Sequence, residues 1–232
     1  SWHESAPVAE SDYPALARTL APASVDLGVL RIFHPYRLEV AVFAAGAPCL
    51  MTLFGRDSLL PAYMALPIDQ NLALGTLQTL ARLQGERDDP ASEEEPGRIL
   101  HEVRFGAEPS LALGGRSVYY GTADATPLFV VLLGELRRWG LAADEVDRLL
   151  PHAERALEWI VTRGDRDGDG FVEYERATAQ GLVNQGWKDS YDGIFHADGR
   201  LAEGAIALVE VQGYVYAAKR MAAVLARRLG RD

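Results

Sequence analysis

The segment NQGWKDSYDGIF (184–195) puts two carboxylates, Asp189 and Asp192, directly after an indole and an amine, Trp187 and Lys188. Breaking a glycosidic bond requires a carboxylic acid that protonates the departing oxygen, and an apolar or aromatic wall helps such an acid keep its proton. An indole supplies that wall and also stacks on a sugar ring. The same residues fit a plainer arrangement, with Asp189 capping the next turn and Trp187 filling the core, and the segment alone leaves both open. Upstream, GRDS (55–58) offers Arg56, which can fork onto hydroxyls or a carboxylate, and Asp57, which can accept from sugar hydroxyls. An N-cap aspartate with a paired arginine is the alternative there. YYGTADATP (119–127) sets Tyr120 and Asp124 just before a helical pattern. Capping by Thr122 or Asp124, with Pro127 in the first turn, explains much of that stretch but not two adjacent tyrosines.

A different chemistry is written in DRDGDGFVE (165–173). Asp165, Asp167, Asp169 and Glu173 fall where a calcium loop places its first acidic donors, with a glycine at the sharp turn and Phe171 offering its carbonyl. The loop's last ligand fails, because Arg176 stands where an EF-hand has glutamate, so a full EF-hand is rejected. A looser calcium site that borrows a carboxylate and a metal-free glycine hairpin both remain. His3, His34, His101, His152 and His196 show no zinc-ligand spacing, and His152 reads as structural. No nucleophile elbow, P-loop or dinucleotide fingerprint occurs, so no organic cofactor is expected. Cys49 follows Pro48 in an apolar run and reads as a buried, inert thiol.

Composition bounds these possibilities. With 232 residues, 48% of them hydrophobic, the chain can bury a core. A formal net charge of -10 argues against nucleic acid or an anionic membrane as partner, since both need a basic face. A single cysteine excludes an intrachain disulfide and fits a reducing, cytoplasmic location. No apolar run reaches the roughly 18 residues of a membrane span; residues 38–54 come closest, interrupted by Glu39, Gly46 and Pro48. The N-terminus has no signal-peptide character, and both ends read as trimmed from something longer.

The elements that must position these residues are mostly helical. Residues 1–25 read as a lead-in segment with at most one short helix, and residues 26–53 as extended pieces around Val29, Ile32, Leu38, Val40 and Val42. Apolar spacing predicts helices over 57–66, 69–83, 124–139 with Gly140 closing it, and 144–161. A further one is expected over 201–229, interrupted near Gly213. The polar stretch 85–97 reads as a solvated loop, and 163–200 as a long functional loop with short hairpins. Antiparallel helix pairs with their long loops on one side point to a toroid of hairpins, with a plain helical bundle as the alternative.

Taken in order, FGRDSLL, GRILHEVR, YYGTADATPLF, DRDGDGFVEY, NQGWKDS and LAEGAIALVEVQGYVYAA resemble the bacterial amylo-alpha-1,6-glucosidase-like proteins over about residues 40–220. That group is similar to the glucosidase domain of glycogen debranching enzyme and, more distantly, to glucosidase I, mannosylglycerate hydrolase and glucoamylase. The resemblance implies a mainly all-α fold, an (α/α)6 barrel, and hydrolysis of α-linked glycans with inversion. It implies Asp189 as general acid, with Arg56, Asp57, Tyr120, Asp124, Trp187, Lys188 and Glu210 lining the sugar pocket. It also implies a structural calcium on Asp165, Asp167, Asp169, Phe171 and Glu173.

The departures are specific. The family's catalytic base, a glutamate in a later motif, has no counterpart after Glu210, and about half of a barrel is present, as residues 26–232. An aromatic residue is common in the family where Cys49 and Leu50 stand, and proline where Ala205 stands. The fragment is therefore expected to be inactive alone, its exposed helices covered by the missing half or an oligomeric partner. A non-catalytic carbohydrate-binding or interaction module, and a related glycosidase acting on mannosyl or trehalose-type substrates, are the competing readings.

Overall fold

The computed structural model describes residues 2, 11–34, 37–103, 117–140 and 143–228, and His3 and Arg104 lie outside them. Within them the chain is mainly helical. Helix α1 spans Pro14–Val29, α2 Gly55–Met64, α3 Gln70–Arg82, α4 Ala125–Arg138, α5 Ala143–Trp159 and α6 Val209–Arg228. Strands β1 (Arg31–His34) and β2 (Arg37–Phe43) form an antiparallel ribbon, and two-residue strands β3 (Glu102–Val103) and β4 (Val118–Tyr119) form another.

Helix α4 is the centre because its sequence is apolar nearly all round, and such a helix must be covered on every side. Leu128, Phe129, Val130, Leu132, Leu133 and Leu136 are all buried. It packs on α6, α5, α2 and α3. At Gly134 an added Cβ would meet Met221 at 2.7 Å, so the missing side chain sets how closely α6 can lie. Asp69 caps α3 by accepting from the Asn71 N–H at 2.9 Å, as its position before the apolar pattern predicts. Gly140, at φ 82, ends α4 in the left-handed conformation expected of it.

Several expectations need correction. Helix α2 begins two residues earlier than expected, which puts Arg56 and Asp57 in its first turn. Helix α6 begins at Val209 and runs unbroken through Gly213. Residues 201–208 are instead non-helical, with Leu201 bridging Phe195, Ile206 bridging Tyr174, and a bend between them at Gly204, at φ 78. The 85–97 loop is not simply solvated, for Ser92, Glu93 and Gly97 are buried. Cys49 is exposed, because the apolar run breaks after β2 and the chain turns outward between the bridged residues Gly46 and Leu50. The lead-in segment carries a full helix, α1, which continues past residue 26 and leaves Tyr13, Leu16, Leu20, Val25 and Val29 exposed.

Candidate active site

Arg56 is the hub that gathers the motif residues. Its buried guanidinium donates from Nη1 to Asp124 Oδ2 at 3.0 Å and to the Gly186 carbonyl at 2.7 Å. From Nη2 it donates to Asp189 Oδ2 at 3.1 Å, and Asp57 Oδ2 lies 3.5 Å from the same nitrogen. Burial alone would lower the Arg56 pKa; Asp124 and then Asp57 outweigh it and raise it. Residues from three distant segments thus meet on one cation, which neither the spacing nor the periodicity of the sequence encodes.

The three carboxylates around Arg56 are not equivalent. Asp124 has a side-chain exposure of 0% and spends both oxygens, Oδ2 on Arg56 and Oδ1 on the Thr122 hydroxyl at 2.6 Å. It makes no side-chain cap for α4, and with no free face it braces the hub rather than meeting a ligand. Asp189 keeps 40% of its side chain exposed and has Oδ1 free of the guanidinium. Asp57 is partly exposed beside it. Burial pushes the Asp57 pKa up, Arg56 opposes that, and the carboxylates of Asp124 and Asp189 reinforce it.

Trp187 is 61% exposed, with the Arg56 guanidinium 5.4 Å from its ring centroid, a cation–π arrangement. So exposed, it does not fill the core, and the Asp189 Oδ2 faces the same guanidinium. Lys188 is exposed. Glu210, in the first turn of α6, approaches Gly186, where an added Cβ would lie 3.8 Å from its Oε1. Tyr120 stands apart from the hub: its hydroxyl donates to the Leu83 carbonyl at 2.8 Å, and it lines a separate cavity of about 580 Å³ with Arg82, Arg87 and Glu94. Tyr214, one turn after Glu210, was not foreseen. Burial raises its pKa first, and the charges of Asp124 and Glu210 add to that.

The segment before Asp189 is pinned residue by residue. Asn184 accepts from the Tyr174 hydroxyl at 2.9 Å and donates to the Ser190 carbonyl at 2.6 Å. The Gln185 side chain accepts from Arg98 Nη2 at 3.0 Å and donates to Glu93 Oε2 at 2.6 Å. At Gly186 an added Cβ would meet the terminal methyl of Leu208, so any larger residue needs that side chain to move. Behind this segment lies His101, buried edge-on between Phe54 and Tyr119, with Nδ1 lacking a partner. Burial, then Arg56, lower its pKa to about 4, so at neutral pH it is an uncharged ring. The sequence assigns no role to Glu93, Arg98, His101 or Gln185, although Arg98, His101 and Gln185 lie within GRILHEVR and NQGWKDS; Thr122, expected at most as a helix cap, instead donates to Asp124.

The acidic loop stands as a second cluster. Ligand oxygens of Asp165, Asp167, Asp169 and Glu173 all lie within 4.8 Å of one another. Gly168 and Gly170, at φ 79 and 96, let their N–H groups turn inward onto the Asp165 carboxylate at 2.9 and 3.1 Å. The Phe171 N–H donates to Asp169 Oδ1 at 2.8 Å. An all-oxygen set of that spread suits calcium, whose ligands sit at about 2.3–2.6 Å on opposite sides of the ion. Among the described residues no helix is long and apolar enough to cross a membrane.

No family model matches the chain, and no curated protein matches it.

Proposed function

We propose that this chain carries the acid-bearing part of an inverting α-glycoside hydrolase site of the glycogen-debranching type, built on part of an (α/α)6 barrel. One observation carries the reading: Arg56 holds a half-exposed Asp189 by one oxygen only, beside an exposed indole. The Asp189 carboxyl, carrying a proton on the free Oδ1, gives it to the departing glycosidic oxygen and is left as a carboxylate facing Arg56, while Trp187 stacks on a sugar ring and Asp57 accepts from its hydroxyls. Asp124 and Glu210 support the hub from behind. An inverting reaction needs a second carboxyl about 6.5–9.5 Å away to activate water, and that base is supplied from outside these residues.

In the native protein, Asp189→Asn lowers hydrolysis of α-linked glucosides by about a thousandfold with binding retained. Turnover near the unmodified rate overturns the assignment, and vigorous glucose release by the 232-residue chain alone overturns the external base.

The second reading, a carbohydrate-binding module without catalysis, is favoured by the Arg56–Asp189 contact itself. A carboxylate fixed by a guanidinium suits hydroxyl recognition as well as proton donation. Under either reading the partner is a neutral α-linked glycan, and mannosyl or trehalose-type sugars are alternatives to glucose. The apolar side chains exposed on α1, with Val209 and Tyr216 on α6, are covered by further chain or by an oligomeric partner. The lone Cys49 accords with a cytoplasmic location.

Calcium is proposed for the acidic loop, on Asp165, Asp167, Asp169 and Glu173 with the Phe171 carbonyl. Its role is to fix the turn between α5 and the segment leading to Asn184. Added calcium raises the melting temperature, and Asp167→Asn abolishes the rise; a melting temperature indifferent to calcium removes the metal from the account.

A further inference from the structure

Glu93 is a non-glycine residue at φ 55, in the left-handed region, with its carboxylate almost wholly buried. Such a backbone persists only where the surroundings over-determine it. Here they do. Oε1 accepts from the Tyr119 hydroxyl at 3.1 Å and the Ala177 N–H at 3.3 Å, and Oε2 accepts from Gln185 Nε2 at 2.6 Å. Arg98, equally buried, donates to the Gln185 Oε1 at 3.0 Å, and from Nε and Nη2 to the Thr122 carbonyl at 3.3 and 3.2 Å. The Gln185 amide is therefore held at both ends, and only one of its two orientations satisfies both neighbours.

We infer that Glu93 and Arg98 are positioning residues for the Asp189 loop, acting through Gln185; the inference rests on the glycosidase reading only for what that loop does. The path is short. Gln185 precedes Gly186, whose carbonyl accepts from Arg56, and Arg56 in turn holds Asp189 and faces Trp187. A second branch reaches the same hub, since Arg98 holds the Thr122 carbonyl while the Thr122 hydroxyl donates to Asp124, the buried brace of Arg56. The Gln185 carbonyl also accepts from the Ala123 N–H at 2.8 Å, which ties the two branches together. Rotation of the Gln185 side chain would shift the Gly186 carbonyl and release one of the three acceptors that aim Arg56.

The test exchanges the two partners. Glu93→Gln sets two amides against each other, and Gln185→Glu sets two carboxylates against each other at the 2.6 Å contact. The double exchange restores complementarity. The amide at position 93 donates to the carboxylate at 185, Arg98 still donates to that carboxylate, and Tyr119 and Ala177 keep their acceptor. The 3.4 Å contact from Gln185 to the Leu182 carbonyl is lost, and the negative partner of Arg98 moves from position 93, 4.0 Å away, to position 185.

The readout is the Trp187 indole N–H resonance of the chain, assigned through Trp187→Phe, with Trp2 and Trp139 as reporters of folding. Each single exchange displaces the Trp187 signal, and the double exchange returns it to its native position. If a single variant fails to fold, the double decides: a folded double with the native signal upholds the relay, whereas a displaced signal or an unfolded double overturns it. Single variants that leave the signal in place overturn it as well.

In the native protein the singles lower kcat for an α-linked glucoside by about a hundredfold with KM nearly unchanged, and the double recovers it. Because the resonance is read without substrate, its failure sinks the relay whatever hydrolysis does. Native resonance behaviour with no hydrolysis in the unmodified protein sinks the glycosidase reading alone.

Discussion

Two buried arginines organise this molecule, and they differ in what surrounds them. Arg98 is sealed: it donates to the carbonyls of Thr122 and Glu93 and to Gln185, pairs with Glu95 at 3.5 Å, and has its guanidinium 5.2 Å from the centroid of the Trp159 ring. Arg56 has one sealed side, at Asp124 and the Gly186 carbonyl, and one open side, at Asp57, Asp189 and Trp187. Burial lowers the Arg98 pKa despite Glu95 and Glu93, whereas Asp124 and Asp57 outweigh burial at Arg56 and raise its own. A guanidinium costs desolvation wherever it is buried. At Arg98 that cost secures geometry, and at Arg56 it secures a partly solvated carboxylate pair that a ligand can reach.

The difference is sharpest under truncation. Arg98→Met leaves Glu93 buried without its cation and is expected to destabilise the fold by about 3–5 kcal/mol, read from denaturant midpoints. Arg56→Met strands Asp124 and the Gly186 carbonyl, while Asp57 and Asp189 reach water and Asp124 keeps the Thr122 hydroxyl, and is expected to cost about 1–3 kcal/mol. Equal losses at the two positions would erase the distinction between a sealed and an open hub.

His101 reports on both arginines, because after burial each of them pushes its pKa down, Arg56 more than Arg98. A folded-state value of about 4 against 6.5 unfolded means the unfolded chain takes up the proton first as pH falls. Stability at this residue is therefore complete above about pH 6.5 and is lost as pH falls toward 4, by about 3 kcal/mol in all. His101→Gln should flatten that slope, and Arg56→Met should raise the His101 pKa followed by NMR. A slope unchanged by His101→Gln would place the acid sensitivity elsewhere.

Much of this architecture is legible in the sequence, but unevenly. Helices α3, α4 and α5 follow from apolar spacing, because local periodicity and burial agree there. Residues 201–208 are not helical because bridges to Tyr174 and Phe195 hold them away from α6, and a local pattern cannot register a distant partner. Around Arg56, residue type alone leaves Asp57, Trp187 and Asp189 open to capping or core roles, and only the order of the motifs singles them out. Asp124 was visible too, yet its role as a brace depends on Thr122 and on burial that only the fold supplies. Glu93 was hidden in an acidic run that composition marks as solvated, and its partner Gln185 lies 92 residues away. Tyr120 is expected in the pocket only through the resemblance, and its hydroxyl goes instead to the Leu83 carbonyl.

The most direct test of the open hub is a titration of the chain with an α-1,6-linked glucooligosaccharide, followed by the Trp187 indole resonance. The account predicts a saturable shift of that resonance, retained in Asp189→Asn and abolished in Arg56→Met. A Trp187 signal that stays fixed at every sugar concentration, or one that shifts equally in Arg56→Met, would contradict it.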